Sequence, residues 1–341
     1  MAPTNAPSKR AIASLFPMVF LLAILPAPRG LPQEKPAEKP AEDAPPSITV
    51  DVALVNILAS VHDKHGGLIG NLTKDDFTVL EDGKPQTIKY FTRETDLPLT
   101  IGLLIDVSAS QRNLLDIERR AAHQFFAQVL RKKDEAFLIS FGEESELLQD
   151  YTNSPKLLQS GLSQLQINSG ASGIGPGPVP TISQPRGTVL YDAVYLAAHE
   201  KLRAEVGRKV IVLITDGIDQ GSKLKIEEAI EAAQKSDVVI FSIDYADPSA
   251  YGMFSFVVSD FALQKMSGET GGRVFKVDRK HTLDDAFKEL QDEMRSQYAI
   301  AYTSTHTERD GTFRKLAIKV ADKNLKVQVR KGYYATKPEK S

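Results

Sequence analysis

The stretch that decides the fold is Leu99-Thr-Ile-Gly-Leu-Leu-Ile105, which runs directly into Asp106-Val-Ser108-Ala-Ser110. Its apolar residues are nearly continuous and do not alternate with polar ones, which is typical of a strand buried on both faces of a parallel sheet. Three later runs have the same character: Ala136–Phe141, Lys209–Thr215 and Val238–Ile243. The centre of the chain therefore contains several fully buried strands.

Helical patterns accompany these strands. Residues 112–130 and 282–295 both carry apolar side chains at three- and four-residue steps, as the buried face of an amphipathic helix does. Strands that alternate with helices in this way imply right-handed crossovers and a parallel sheet covered on both sides. We therefore predict a doubly wound, mainly parallel α/β domain over residues 97–296.

The two flanks of this domain follow a period of two residues, which indicates antiparallel strands. Residues 48–96 alternate at Ile48, Val50, Val52 and Leu54, and later contain the hairpin signal Asp82-Gly83. Residues 297–335 read as a three-stranded meander whose Lys315, Lys319, Lys326 and Arg330 face outward. We expect both flanks to pack together as a small β-sandwich-like domain into which the α/β domain is inserted, followed by a tail at 336–341.

The N-terminus predicts export. Residues 1–30 combine the basic pair Lys9-Arg10, an apolar run over Ala11–Leu25 and small residues after it, which is the pattern of a signal peptide. The run is shorter than the roughly 20 residues that span a membrane, so a signal anchor is the minority interpretation. Residues 31–47 repeat Glu-Lys-Pro-Ala and read as an extended linker. The mature chain is expected in the periplasm or outside the cell, without a membrane span.

Composition narrows the possible functions. The chain has 341 residues, a formal net charge of −2 and no cysteine. Without a strongly basic field, no nucleic-acid partner is expected. The absence of cysteine excludes thiol catalysis and cysteine-based zinc sites. No Gly-x-Ser-x-Gly or His-Glu-x-x-His motif occurs, so the sequence does not match serine hydrolases or zinc metalloproteases.

The residues that follow the buried strands carry the chemistry. Asp106 and Asp216 come directly after two of the strands, and Thr188 precedes a helical segment. Ligands of open α/β sheets bind outside the carboxyl ends of the strands, so these side chains should share one edge. Carboxylate and hydroxyl oxygens are hard ligands of the kind that Mg²⁺ prefers, and the spacing of Asp106, Ser108 and Ser110 lets one loop present all three. An alternative is that Asp106 and Ser110 only cap the following helix.

The order and context of three motifs resemble the metal-ion-dependent adhesion site of von Willebrand factor type A domains. These motifs are Asp-x-Ser-x-Ser, a later Thr and Thr-Asp-Gly. The flanks at Leu72–Gly83 and Lys331–Tyr334 are similar to exported bacterial VWFA-related proteins common in acidobacteria. The resemblance implies that Ser108 and Ser110 contact the metal directly. It implies that Asp106, Thr188 and Asp216 bind directly or through water, and that an acidic residue of a partner completes the shell. The long loop between Asn168 and Arg186 departs from the pattern.

These observations lead to a non-enzymatic function. We expect the chain to bind a protein partner with an exposed acidic residue through Mg²⁺, with Mn²⁺ or Ca²⁺ as alternative ions. In the family, motion of the last helix, here residues 282–295, can couple metal occupancy to affinity. One alternative is an envelope scaffold that binds through its β domain without metal. A phosphatase that uses Asp106 as its nucleophile is disfavoured. Such an enzyme needs a second acid two residues later for proton transfer, and this chain has Ser108 there.

Overall fold

The computed structural model describes residues 54–93, 97–167, 187–247 and 255–336, with backbone alone for 255–259. The predicted leader and linker, residues 1–47, lie outside this part of the chain, as does the loop between Asn168 and Arg186. Within the described residues, none of the helices combines the length and the apolar character needed to cross a membrane.

The described residues form fourteen strands and six α-helices. The strands are β1 (Leu54–His62), β2 (Phe77–Glu81), β3 (Lys84–Gln86), β4 (Ile88–Arg93), β5 (Leu99–Asp106), β6 (Glu135–Phe141), β7 (Ser145–Thr152), β8 (Arg208–Thr215), β9 (Val238–Asp244), β10 (Val274–Lys276), β11 (Tyr298–Thr303), β12 (Phe313–Val320), β13 (Lys326–Val329) and β14 (Gly332–Tyr334). The helices are α1 (Leu115–Val129), α2 (Pro155–Leu162), α3 (Leu190–Tyr195), α4 (Ile226–Lys235), α5 (Ser255–Thr270) and α6 (Leu283–Arg295).

Six of the strands form the parallel sheet, in the order β10-β9-β8-β5-β6-β7. Five run parallel, and β7 pairs antiparallel with β6 at one edge. Every residue of β5 and β8 is buried, as their continuous apolar runs predicted. The predicted mainly parallel α/β fold is therefore confirmed, and β7 is an edge strand that the sequence analysis did not identify.

Helices cover both faces of this sheet. On one face, Ile101, Leu103 and Ile105 of β5 pack with residues of α1, α2 and α6. On the other face, Leu104 packs in a core that contains residues of α3, α4 and α5. Successive side chains of a strand point to opposite faces, so one apolar run fills both cores. The helices expected at 112–130 and 282–295 are confirmed as α1 and α6.

The two flanks of the α/β region join in space, as predicted. They form two antiparallel sheets, one in the order β13-β1-β11-β4 and the other in the order β14-β12-β2-β3. A shared core lies between them and includes Ile57 of β1, Val79 of β2, Tyr298 of β11 and Ile318 of β12. The Asp82-Gly83 hairpin is confirmed: Glu81 pairs with Lys84, and both turn residues have positive φ, at 47° and 79°.

The predicted C-terminal meander is wrong. Strand β11 pairs with β1 and β4, whereas β12 pairs with β2 and β14, so these consecutive strands lie in different sheets. Both strands bury a large apolar face, and that requirement is met when they face each other across a core instead of lying side by side. Arg330 is also not a free outward cation, because it donates to Asp237 and to the carbonyl of Asn56.

The alternation in β1 also differs from its predicted phase. The buried face of β1 carries Val55, Ile57, Ala59 and Val61, while Leu54 is 41% exposed on the opposite face. The buried phase of β1 therefore falls on the odd-numbered residues from Val55 to Val61 and not on Leu54. Ile48, Val50 and Val52 lie outside the described residues.

Candidate metal site

The strand order of the parallel sheet creates the candidate site. The chain leaves β5 toward β6 on one side, and β8 lies on the other side and leads on to β9. Connections that depart in opposite directions open a crevice at the carboxyl ends of the two central strands. Ile105 is in register with Ile214, so Asp106 at the end of β5 lies beside Thr215 at the end of β8, and Asp216 is the next residue.

Four predicted residues, Asp106, Ser108, Ser110 and Asp216, form a connected group that we call the edge cluster. The Ser110 hydroxyl donates to Asp216 Oδ2 at 2.7 Å, and its oxygen lies 2.9 Å from the Ser108 hydroxyl. Asp106 Oδ1 accepts from the Ser108 amide at 2.8 Å. Two stretches 106 residues apart in sequence therefore meet at one point.

Thr188, the fifth predicted residue, belongs to a segment at the same edge of the sheet. Its carbonyl accepts from the Gln220 amide at 3.0 Å, and the Val189 amide donates to the carbonyl of Gly142, which follows β6, at 2.9 Å. A Cβ on Gly187 would lie 2.1 Å from the Cβ of Gln220, so only glycine permits this approach. The segment is thus held between the loops that follow β6 and β8, and Thr188 itself is buried.

The edge cluster concentrates negative charge in a buried place. Asp106 is completely buried, and burial together with the charge of Asp216 raises its pKa to about 7. Thr215 donates to Asp106 Oδ2 at 2.6 Å, and this hydrogen bond acts to lower the pKa of Asp106. Burial also raises the pKa of Asp244, at the end of β9, to about 6. A nearby positive charge would relieve this repulsion.

Two polar residues of this region were missed by the sequence analysis. Gln111 is fully buried, and its amide nitrogen donates to Asp216 Oδ2 at 3.3 Å and to the Tyr245 carbonyl at 3.2 Å. Glu118 of α1 is fully buried, and its pKa is raised by burial and by the charges of Asp106 and Asp216. Glu118 stands three residues after Leu115 and four before Ala122, within the apolar stripe of the helix. An acidic residue within an apolar helix stripe is the sequence feature that could have indicated this buried carboxyl.

The residues of the edge cluster fit a divalent cation. They offer carboxylate and hydroxyl oxygens, which are the ligands that hard cations prefer. The repulsion between Asp106 and Asp216 is a feature of this structure that a bound dication would reverse. Asp106, Ser108, Ser110, Asp216 and Thr188 are the residues that could hold such an ion.

A second group of possible ligands lies in the antiparallel sheets. Ligand atoms of Glu81, Asp82 and His306 all lie within 4.8 Å of one another. Glu81, however, already accepts from the hydroxyls of Tyr302 and Ser304, each at 2.5 Å, and the Arg314 guanidinium lies 3.7 Å away. A buried acid that is saturated by hydroxyls beside a cation is better explained as a structural network.

Comparison with solved structures gives matches of low sequence identity. BatB from Bacteroides thetaiotaomicron is 16% identical, with 57% of this chain and 97% of that chain covered and a TM-score of 0.44. The vWF domain of the type V pili tip protein Mfa5 from Porphyromonas gingivalis is 13% identical, with 59% and 96% covered and a TM-score of 0.44.

A third match is proximal thread matrix protein 1 from the mussel byssus, in a structure described as having a zinc-occupied MIDAS motif. It is 14% identical, with 63% of this chain and 50% of that chain covered and a TM-score of 0.43. A search of curated proteins found no match. The family model of the von Willebrand factor type A domain matches residues 101–293. Since that match covers more than half of the chain, this protein belongs to the von Willebrand factor type A domain family.

Proposed function

We propose that this protein is an exported, non-enzymatic binding protein that recognises an acidic residue of a partner protein through a divalent cation. Asp106, Ser108, Ser110, Thr188 and Asp216 would hold the cation. The observation that carries the proposal is the Ser110 hydroxyl, which lies within hydrogen-bond distance of both Ser108 and Asp216. It links the loops after the two central strands at the crevice where ligands of such sheets bind.

The donor set favours binding over catalysis. A bound cation would supply positive charge that attracts an anionic ligand. Ser108, Ser110 and Thr188 contribute neutral oxygens, and only Asp106 and Asp216 carry charge, so the cation would stay under-neutralised and partly hydrated. Such an ion accepts a carboxylate from another molecule readily. The position where an aspartyl phosphatase would need an acid carries Ser108, whose amide donates to Asp106.

The proposed organisation follows from the sequence boundaries. Residues 1–30 would direct export and 31–47 would act as a spacer. The β regions at 48–96 and 297–335 would present the α/β domain of residues 97–296 in the periplasm or outside the cell. A second candidate function is a scaffold that binds through the β regions without metal. The packing of both flanks around one shared core supports this alternative.

The test starts with metal binding. Purified chain is titrated calorimetrically with Mg²⁺, Mn²⁺, Ca²⁺ and Zn²⁺, and the Asp216→Asn variant is titrated in parallel. Asp116→Asn is the matched control, because the Asp116 side chain is 88% exposed on α1 and pairs with Arg119. We expect one site per chain that Asp216→Asn abolishes and Asp116→Asn leaves unchanged. Equal metal binding by all three proteins would refute the assignment of the site.

Partner binding is tested separately. The chain and both variants are used to capture proteins from envelope extract, with and without EDTA. Capture that EDTA and Asp216→Asn both abolish supports the metal-dependent function. Capture that neither affects supports the scaffold instead. Turnover of p-nitrophenyl phosphate that depends on Mg²⁺ and Asp106 would contradict the non-enzymatic proposal.

A further inference from the structure

A groove of about 740 Å³ lies at the opposite end of the parallel sheet from the edge cluster. We call it the amino-edge groove, because residues at the start of β8 and β9 form one side of it. The other side is the outward face of β1, β4 and β11. Its volume falls within the roughly 300–1,000 Å³ typical of small-molecule sites.

The walls of this groove are unusually apolar for an exposed surface. Of the nine large apolar side chains that are exposed in the described part of the chain, four line it: Leu54, Tyr90, Leu97 and Val206. Tyr90 is 67% exposed and Val206 is 79% exposed. Exposed apolar residues scattered singly need no explanation, but their concentration in one concave place marks a binding surface. Leu54 contributes to this surface because it lies on the outward face of β1.

Five charged residues also line the groove: Glu205, Arg208, Lys209, Asp237 and Arg330. Lys209, the second residue of β8, lines it and is only 8% exposed. Among the described residues, its ammonium group has neither an ion-pair partner nor a side-chain hydrogen bond. Burial lowers the pKa of Lys209, and the charges of Asp237 and Glu205 act against this effect. Asp237 is itself paired with Arg330. A cation on a largely apolar wall that lacks a direct ion-pair partner favours an anionic ligand.

We propose that the amino-edge groove binds an amphiphilic carboxylate, which is a molecule with one aliphatic chain and one carboxylate head. The head would pair with Lys209, and the chain would lie along Leu54, Tyr90 and Val206. One lysine near two acidic residues suits a singly charged head better than a dianionic phosphate. A second copy of the chain is a poorer occupant, because a two-fold contact would set this concave groove against the same concave groove and leave it unfilled.

The probe is sodium dodecanoate, used below its micelle-forming concentration and titrated calorimetrically into the purified full chain. We expect saturable binding of one dodecanoate per chain. Dodecan-1-ol, which lacks the charge, and butyrate, which lacks the long chain, should both bind at least about tenfold more weakly. Absence of saturable dodecanoate binding, or equal binding of dodecanol, would overturn the proposal.

Variants separate the head from the wall. Lys209→Met should weaken dodecanoate binding by about tenfold or more and leave dodecanol binding unchanged. Tyr90→Ser should weaken both ligands, and because Tyr90 is exposed this variant should fold even if Lys209→Met does not. Phe261→Ser is the matched control, since Phe261 is also 67% exposed but lies outside the groove.

Three results would overturn the assignment. The first is dodecanoate binding that neither Lys209→Met nor Tyr90→Ser changes. The second is equal weakening by Phe261→Ser. The third is a dimer, seen by sedimentation of the chain without ligand, that Tyr90→Ser dissociates, because a second copy would then be the occupant.

Discussion

The buried carboxyl of Asp106 predicts an unusual dependence of stability on pH in the metal-free chain. Its pKa is raised from 3.8 to about 7 by burial and by Asp216. Below about pH 4 the group is protonated in both the folded and the unfolded state. As the pH rises toward 7, the unfolded state loses its proton first, so the free energy of unfolding falls. At 1.36 kcal/mol per pKa unit, the loss from this group reaches about 4 kcal/mol.

A divalent cation should oppose this loss. At a free concentration of about 100 times its dissociation constant, a cation that binds only the folded state adds about 2.7 kcal/mol. Because the cation binds ionised carboxylates, its affinity should rise with pH up to about 7, and binding should release a proton in that range. For a chain of this size, 1 kcal/mol corresponds to roughly 2–4 °C in Tm.

The measurement is thermal unfolding between about pH 5 and pH 8, with either EDTA or saturating Mg²⁺, of the natural chain and Asp106→Asn. The asparagine retains an oxygen that can accept from the Ser108 amide. Because asparagine does not titrate, any change in stability that the substitution causes through hydrogen bonding should be independent of pH. In EDTA, the Tm of the natural chain should fall by several degrees more than that of the variant as the pH rises. Mg²⁺ should raise the Tm of the natural chain alone. Parallel pH curves for the two proteins in EDTA would refute the reasoning.

Three further predictions concern stability and the geometry of the site. Glu118→Leu should raise the free energy of unfolding in urea by about 1–3 kcal/mol, because both carboxyl oxygens are buried without a hydrogen-bond partner; a loss of stability would contradict this. Gly187→Ala should weaken metal binding in calorimetry by about tenfold or more, because its Cβ would displace the Thr188 segment from Gln220, and unchanged affinity would argue against Thr188 as a ligand. Gly83→Ala should lower the free energy of unfolding by about 1–2 kcal/mol, because the φ of Gly83 is +79°. Gly268→Ala in α5 should raise it by up to about 1 kcal/mol, because a Cβ there would meet open space. Changes of the same sign in both variants would contradict this reasoning.

The parallel sheet could be predicted from the sequence because its evidence is local. A run such as Leu99–Ile105 is apolar at nearly every position, and only burial on both faces explains that composition. Asp106 and Asp216 could be identified by their place directly after such runs. Their sharing of one sheet edge could be predicted as well, but the hydrogen bond between Ser110 and Asp216 could not, because it depends on β8 lying directly beside β5, although two other strands intervene in the sequence.

The same distinction explains what the sequence concealed elsewhere. Strands β11 and β12 look like neighbours in a meander because both alternate, but alternation shows only that a strand has one apolar face. It does not show whether the next strand pairs with it in the same sheet or packs against its apolar face from another sheet. Here β11 and β12 lie in two sheets that face each other across a core. The amino-edge groove is a stronger case. Leu54 and Val206 look unremarkable alone, and they form a surface only because β1 and the start of β8 border one groove. A ligand site made by consecutive residues after a strand is therefore readable from sequence, whereas one made between distant segments requires the fold.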